Sequence, residues 1–322
     1  MNSHHPERLV LGSRGSMLAV AQTRWVAERL RTNYPAAEVA IKLFTTRGDR
    51  SISLEPGQPE ATIDRPLAAI GGKGLFTAEL EEALRDGAID LAIHSAKDLP
   101  TDLADGTAVL AWPAREDPRD GLVIGPDELA PGSLADIPIG AKVGTSSLRR
   151  IGQLKSLRPD LDVQPIRGNV ETRIAKVRRG DFVATLLAVA GLKRTGLLAH
   201  AAQILSIEQM TPAAGQAALA IQGRVGDSRV ADLLAPLDDF ATRQAVLAER
   251  RVVARLAGGC NMPLGVYVWQ VSGRWIGRAV LVAPIGRPRI EVSAHADSAD
   301  ALPDILVDQL LAQGGGELLL VE

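Results

Sequence analysis

Apolar residues recur at Leu18, Ala21, Trp25, Val26 and Leu30, a spacing that lays one apolar stripe along a helix capped by Ser16 and running to about Asn33. Residues 9–11 ahead of it begin a short strand, and VAIKLFTT (39–46) behind it alternates like a half-buried strand. LFTAELEEALRDG (75–87) returns to helical spacing and stops at Gly87, and AIDLAIHS (88–95) reads as strand again. Strand, helix and strand in alternation predict a mostly parallel sheet covered by helices. After the polar stretch PAREDPRDG (113–121) the pattern restarts. AKVG (141–144), a helix from about Ser146, LDVQPI (161–166), a helix over Val170 to Arg179 and FVATLLA (182–188) form a second alternating unit.

The period changes again further on. DFATRQAVLAERRVVARLAGG (239–259) is a long helical pattern with a glycine stop. GVYVWQVSGRWIGRAVLV (265–282) and RIEVSAHAD (289–297) alternate around a Ser-Gly turn at 272–273, as antiparallel strands do, before a closing helix. Two α/β lobes and a small α+β third domain follow from this. EPGQPEATID (55–64), rich in proline, glycine and acid, is expected to be a mobile surface loop.

Composition narrows the class. A chain of 322 residues can hold two or three domains, and 46% hydrophobic with 23% charged residues is ordinary for a globular protein. No segment approaches the roughly 18 apolar residues of a membrane span. MNSHHPERLV (1–10) lacks the apolar centre of a signal peptide, so a cytoplasmic protein with no membrane partner is expected. The single cysteine, Cys260, cannot form an internal disulfide. A net charge of −2 gives no bulk attraction to nucleic acid. Locally the balance differs: residues 142–194 carry twelve Lys/Arg against four Asp/Glu, a surplus of +8 that calls for an anionic partner. Phe182 is the only aromatic there, which argues against a stacking platform for single-stranded nucleic acid.

Candidate chemistry gathers at strand-to-helix turns. GSRGS (12–16) and GTSSLRR (144–150) each offer backbone N–H groups, hydroxyls and guanidinium groups at a helix start, an arrangement that binds anions. IRGNVETR (166–173) adds Arg167 and Arg173 at a third such turn. Arg178 and Arg179, late in a helix, suit a solvated face and the helix dipole instead. GGKG (71–74) is no P-loop, but Lys73 on flexible backbone could close over an anion. HSAKDLP (94–100) puts a His, a Lys and an Asp at a strand end, either to stabilise a cation or as a surface salt bridge; His94 reads as a packed histidine. The five histidines and one cysteine do not fall at metal-ligand spacing, so no metal site is expected, and no GxSxG appears. A free cysteine is ordinarily a buried apolar residue, yet Cys260 sits in LAGGCNMPLG (256–265), where Gly258 and Gly259 leave room for a bulky group near the backbone.

Taken together, TRGD (46–49), GGKGLF (71–76), HSAKDLP (94–100), REDPRD (115–120), VGTSSLRR (143–150), IRGNVETR (166–173), LAVAGLKR (187–194) and AER followed by GGC and MPLG (248–265) closely resemble the hydroxymethylbilane synthase, or porphobilinogen deaminase, family over nearly the whole chain. The resemblance implies a transferase that joins four porphobilinogen molecules head to tail, each losing ammonia, into a linear tetrapyrrole released by hydrolysis. It implies a dipyrromethane cofactor held by a thioether on Cys260, which primes synthesis and is not consumed. Asp98 matches the catalytic aspartate. Ser16, Lys97, Thr145, Ser146, Ser147, Arg149, Arg150 and Gly168 match cofactor-binding positions. Arg14, Lys73, Arg167, Arg173 and Arg194 match positions for substrate carboxylates. The implied fold is two periplasmic-binding-protein-like lobes, 1–115 with 214–237 and 118–212, plus a C-terminal domain at 238–322, in a monomer that binds porphobilinogen and no nucleic acid.

Four departures stand out. Ala69 replaces a second loop lysine found in some relatives, Met262 replaces a β-branched residue, GQAA (215–218) replaces GQGA, and the 55–64 loop is longer than in some relatives. The competing class is a two-lobed anion-binding protein without catalysis, which would not need Cys260.

Overall fold

The computed structural model describes residues 8–46, 77–125, 132–256 and 262–319. The expected loop at 55–64, Ala69, Lys73 and Cys260 lie outside the described residues. The chain divides into two compact units, Met1–Arg115 with Ala218–Arg243, and Glu116–Ala217 with Gln244–Glu322.

The first unit is built on β1 (Arg8–Arg14), β2 (Glu38–Phe44), β3 (Leu91–Ser95), β4 (Thr107–Ala111) and β10 (Leu219–Arg224), in the order β2-β1-β3-β10-β4. β1 runs parallel to β2 and β3, while β10 is antiparallel to β3 and β4. Helix α1 (Met17–Asn33) forms where the stripe predicts it, and Ser16 caps it by accepting the Ala19 N–H at 3.4 Å. Its inner face, Val26 and Leu30, packs with Leu9, Leu11, Leu91, Ile93 and Ile221 in one core cluster. Helix α2 (Ala78–Arg85) presses Leu80 so close to β1 that a Cβ at Gly12 would meet Ile89 Cδ1 at 2.5 Å and Leu80 Cδ2 at 2.9 Å.

The second unit repeats that topology with β5 (Asp120–Ile124), β6 (Lys142–Gly144), β7 (Asp162–Gln164), β8 (Ala184–Ala188) and β9 (Ala201–Ile204), in the order β7-β6-β8-β5-β9. β6 is parallel to β7 and β8, and β5 is antiparallel to β8 and β9. Helices α3 (Leu148–Leu157), α4 (Val170–Arg178) and α5 (Val189–Arg194) follow β6, β7 and β8. In each sheet four strands share a direction, as the alternation predicts, but one reversed strand makes half of the ladders antiparallel. The reversed strands, β5 and β10, are short and buried on both faces, so periodicity does not mark them.

The third sheet, in the same unit, is the antiparallel meander β11 (Leu264–Val271), β12 (Arg274–Val282) and β13 (Arg289–Ala296). Ser272 and Gly273, at φ 50° and 82°, form the two-residue turn that the sequence marks there. Helix α6 (Ser228–Leu234) belongs to the first unit, and α7 (Phe240–Arg255) to the second from Gln244 onward. Helix α8 (Leu302–Ala312) buries Leu302, Leu306 and Leu310 against the meander, with Met262 packed at the margin of that core; the short α9 (Gly315–Leu319) closes the chain. The other face of β12 is covered by α3: a Cβ at Gly152 would meet Val282 Cγ1 at 2.7 Å and the carbonyls of Val282 and Ala283 at 2.8 and 2.9 Å.

Candidate active site

In each unit most of the candidate residues lie where parallel strands end and helices begin, the edge at which open α/β sheets bind ligands. In the first unit Arg14 ends β1 and is half-buried; Ser95 ends the neighbouring β3. Ser95 exchanges hydrogen bonds with the Gln22 amide, its Oγ accepting from Nε2 at 2.9 Å, which fixes the start of α1 to the end of β3. Ala96–Asp98 then form one 3-10 turn, held by Ala96 N–H donating to the Ala218 carbonyl at 3.0 Å and anchored by buried Leu99. This turn leaves Lys97 half-buried and the Asp98 carboxylate exposed to solvent. Behind it, His94 is buried and held neutral: burial, helped by the charge of Arg14, pushes its pKa down to about 4. It is the packed histidine that the sequence suggests.

In the second unit the turn after β6 is pinned from three sides. Thr145 N–H donates to the Gln164 carbonyl at 2.9 Å, Ser146 Oγ to the Ile166 carbonyl at 2.9 Å, and Thr185 Oγ1 to the Gly144 carbonyl at 2.7 Å. Ser147 occupies the N-cap of α3 without a capping side-chain bond, whereas Asn169 caps α4 by accepting the Thr172 N–H at 2.9 Å. The first-turn amides of α3 thus keep their capacity for an anion. Gly168 stands at φ 114°, and a Cβ there would meet Thr172 at 2.5 Å, so only glycine fits. Arg173 Nε donates to the Gly168 carbonyl at 2.8 Å, and both Arg167 and Arg173 are half-buried. Arg194 ends α5, donating through Nη2 to the Ala217 carbonyl at 2.7 Å; burial lowers its pKa to about 10.

Arg149 and Arg150 differ most from the picture of an open guanidinium pair. They are 4% and 6% exposed, and both hold Asp120. That partner lies in the REDPRD motif, 30 residues before Arg150, and sequence reading attaches no role to it. Glu116 from the same motif pairs with Lys193 at 2.8 Å, which lowers its pKa through the lysine's hydrogen bond. Carboxylates outside 142–194 therefore neutralise part of that segment's surplus. Arg179 pairs with Asp181 on the surface, as expected of a solvated helix end.

The donor set fits a polycarboxylate pyrrole cofactor: the amides of a helix start without a side-chain cap, an exposed Ser146 and buried Nε–H groups on Arg149 and Arg150 that find no acceptor among the described residues. Among the described residues no group of three His, Cys, Asp or Glu could hold a metal ion, and no helix is long and apolar enough to cross a membrane.

Fold and donor set together define an α/β protein built for an anionic ligand, with an exposed carboxylate on the same sheet edge as an arginine. A family model described as "Porphobilinogen deaminase, dipyromethane cofactor binding domain" matches residues 9–232. Porphobilinogen deaminase of Roseiflexus sp. (strain RS-1) is 44% identical over 314 residues, covering 97% of this chain and 99% of that one. The protein of that name from Ralstonia nicotianae is 43% identical, covering 98% and 91%, and that from Burkholderia thailandensis 49% identical, covering 82% and 76%. The chain belongs to the porphobilinogen deaminase family. Among solved structures, the periplasmic aliphatic sulphonate binding protein SsuA from Escherichia coli aligns with 98% of this chain and 92% of that chain, at 14% identity and a TM-score of 0.41.

Proposed function

We propose that this chain joins four porphobilinogen molecules head to tail, with loss of four ammonia molecules, and releases the linear tetrapyrrole hydroxymethylbilane by hydrolysis. It is a transferase of porphyrin biosynthesis with a dipyrromethane cofactor. The single observation that carries the assignment of the catalytic group is the exposed Asp98 carboxylate on a tightly held turn, sharing its strand-end edge with Arg14.

In each addition the C–N bond of the substrate's protonated aminomethyl group breaks, and neutral ammonia leaves with the bonding electron pair. The electron deficiency left on the methylene carbon is met by a pyrrole α-carbon, which forms the new C–C bond and then loses its proton. Asp98 stabilises both cationic stages by its charge. When bound, dipyrromethane supplies the first free pyrrole α-carbon. Cys260 is the residue to which we assign its thioether. Ser16, Lys97, Thr145, Ser146, Ser147, Arg149, Arg150 and Gly168 form its binding set. Arg14, Lys73, Arg167, Arg173 and Arg194 take substrate carboxylates, for which guanidinium groups supply paired N–H donors. The three-part division at 1–115 with 214–237, 118–212 and 238–322, a monomeric state, a cytoplasmic location and the absence of a nucleic-acid partner complete the reading.

The test is denaturing intact mass of the protein and its Cys260→Ser variant after incubation with porphobilinogen, with ammonia release by Asp98→Asn followed alongside. An added mass of two linked pyrroles, absent from Cys260→Ser, and ammonia release by Asp98→Asn reduced about a hundredfold or more are expected. Bare polypeptide in both proteins, or undiminished ammonia release, overturns the corresponding assignment and favours a non-catalytic anion-binding protein.

A further inference from the structure

Asp120 opens β5 and is completely buried. Two guanidinium groups share its carboxylate. Arg150 Nη2 donates to Oδ1 at 2.7 Å, and Arg149 Nη2 lies 2.8 Å from Oδ2. The Nη1 atoms are committed to backbone: Arg149 donates to the Thr211 carbonyl at 2.8 Å and Arg150 to the Leu186 carbonyl at 2.9 Å. Each guanidinium is thereby held at two of its three nitrogens, and the third, Nε, is buried with no acceptor among the described residues. Asp120 is also the one carboxylate that pairs with either arginine among the described residues. Two buried positive charges therefore face one negative charge. A buried surplus of one charge is costly unless an anion completes it.

Asp120 has a further attachment. Gln216 Nε2 donates to Oδ1 at 3.0 Å and to the Pro118 carbonyl at 2.7 Å. This bond ties the start of β5 to the segment just before the chain leaves the second unit at Ala217.

We propose that Asp120 is a positioning residue for cofactor loading: it holds Arg149 and Arg150 in the arrangement whose uncompensated charge receives a carboxylate of dipyrromethane. The inference rests on the reading that these arginines bind the cofactor. Without the shared carboxylate, two guanidinium groups fixed this close repel one another and lose their common orientation. Gln216 keeps Oδ1 in place by an uncharged bond.

The experiment compares wild type, Asp120→Asn, Asp120→Glu and Gln216→Leu. Each is purified, restricted to its monodisperse, cooperatively unfolding fraction, incubated with porphobilinogen and read by denaturing intact mass for loaded against bare chain. Wild type loads; if it does not, the cofactor reading itself fails, independently of Asp120. Loading by Asp120→Asn is expected to fall about ten- to a hundredfold, the range for loss of a buried partner that orients a binding group. Asp120→Glu, which keeps the charge, recovers part of it. Folded Asp120→Asn that loads at the wild-type rate overturns the proposal, and so does an equal loss in the Asn and Glu variants, which would leave packing as the cause. If Asp120→Asn yields no folded protein, Gln216→Leu decides: slower loading supports the role of Asp120, and wild-type loading overturns it.

Discussion

Three residues separate His94 from Asp98, yet the first is buried and the second exposed. His94 is buried in β3 and charges only near pH 4, whereas an unfolded histidine charges near 6.5. Between those values the unfolded chain binds the extra proton, so stability falls as pH drops from about 6.5 to about 4, by about 3 kcal/mol in all. Urea unfolding in a pH series should show that loss, and His94→Gln should flatten it; a pH-independent midpoint over that range would contradict the buried neutral state. The packed character of His94 is readable from its place in an apolar strand. The clamp on Arg149 and Arg150 is not, because a carboxylate so far away in sequence leaves no mark on local spacing. An adjacent arginine pair at a helix start looks the same whether it is open or already partnered.

At the scale of elements, periodicity marks α1, α3, α4, α7 and the β11–β12 hairpin, since each buries one stripe or one face. It misses β4, β5, β9, β10 and α6. Those segments are short, and β5 and β10 lie in the middle of sheets, buried on both faces, where alternation disappears. The packing of α3 on β12 is equally silent, although it carries a specific consequence. Gly152→Ala would drive a methyl group to within 3 Å of backbone carbonyls that cannot step aside. Overpacking of this kind costs about 1–3 kcal/mol. A lowered urea midpoint for the second unit is the expected outcome; wild-type stability would mean that α3 can shift off the meander. A related constraint falls on Ala217, which adopts φ 74°, a left-handed conformation that favours glycine, in the segment whose carbonyl Arg194 holds.

For the whole molecule, the buried carboxylate of Glu249 matters most. It accepts the Gly215 N–H at 2.7 Å and the Val268 N–H at 2.8 Å, so α7, the segment before Ala217 and β11 meet at one side chain. In the sequence its AER motif carries a family resemblance and no sign of this physical role. Glu249→Leu should strand two buried amides at about 1–3 kcal/mol each, and thermal unfolding should begin at clearly lower temperature; an unchanged melt would assign those amides other acceptors. The match to the cofactor-binding-domain model ends at residue 232, yet residues from Gln244 onward form one unit with Glu116–Ala217. The covering of α3 by β12 therefore has a consequence in time. Val282 follows Gly152 by 130 residues. At roughly 5–20 residues per second of synthesis, the helix that carries the arginine pair emerges from the ribosome about 7–26 seconds before the strand that will shield it. Through that interval the nascent chain must keep an unfinished apolar face from other chains, and a ribosome that stalls before residue 282 leaves that face bare.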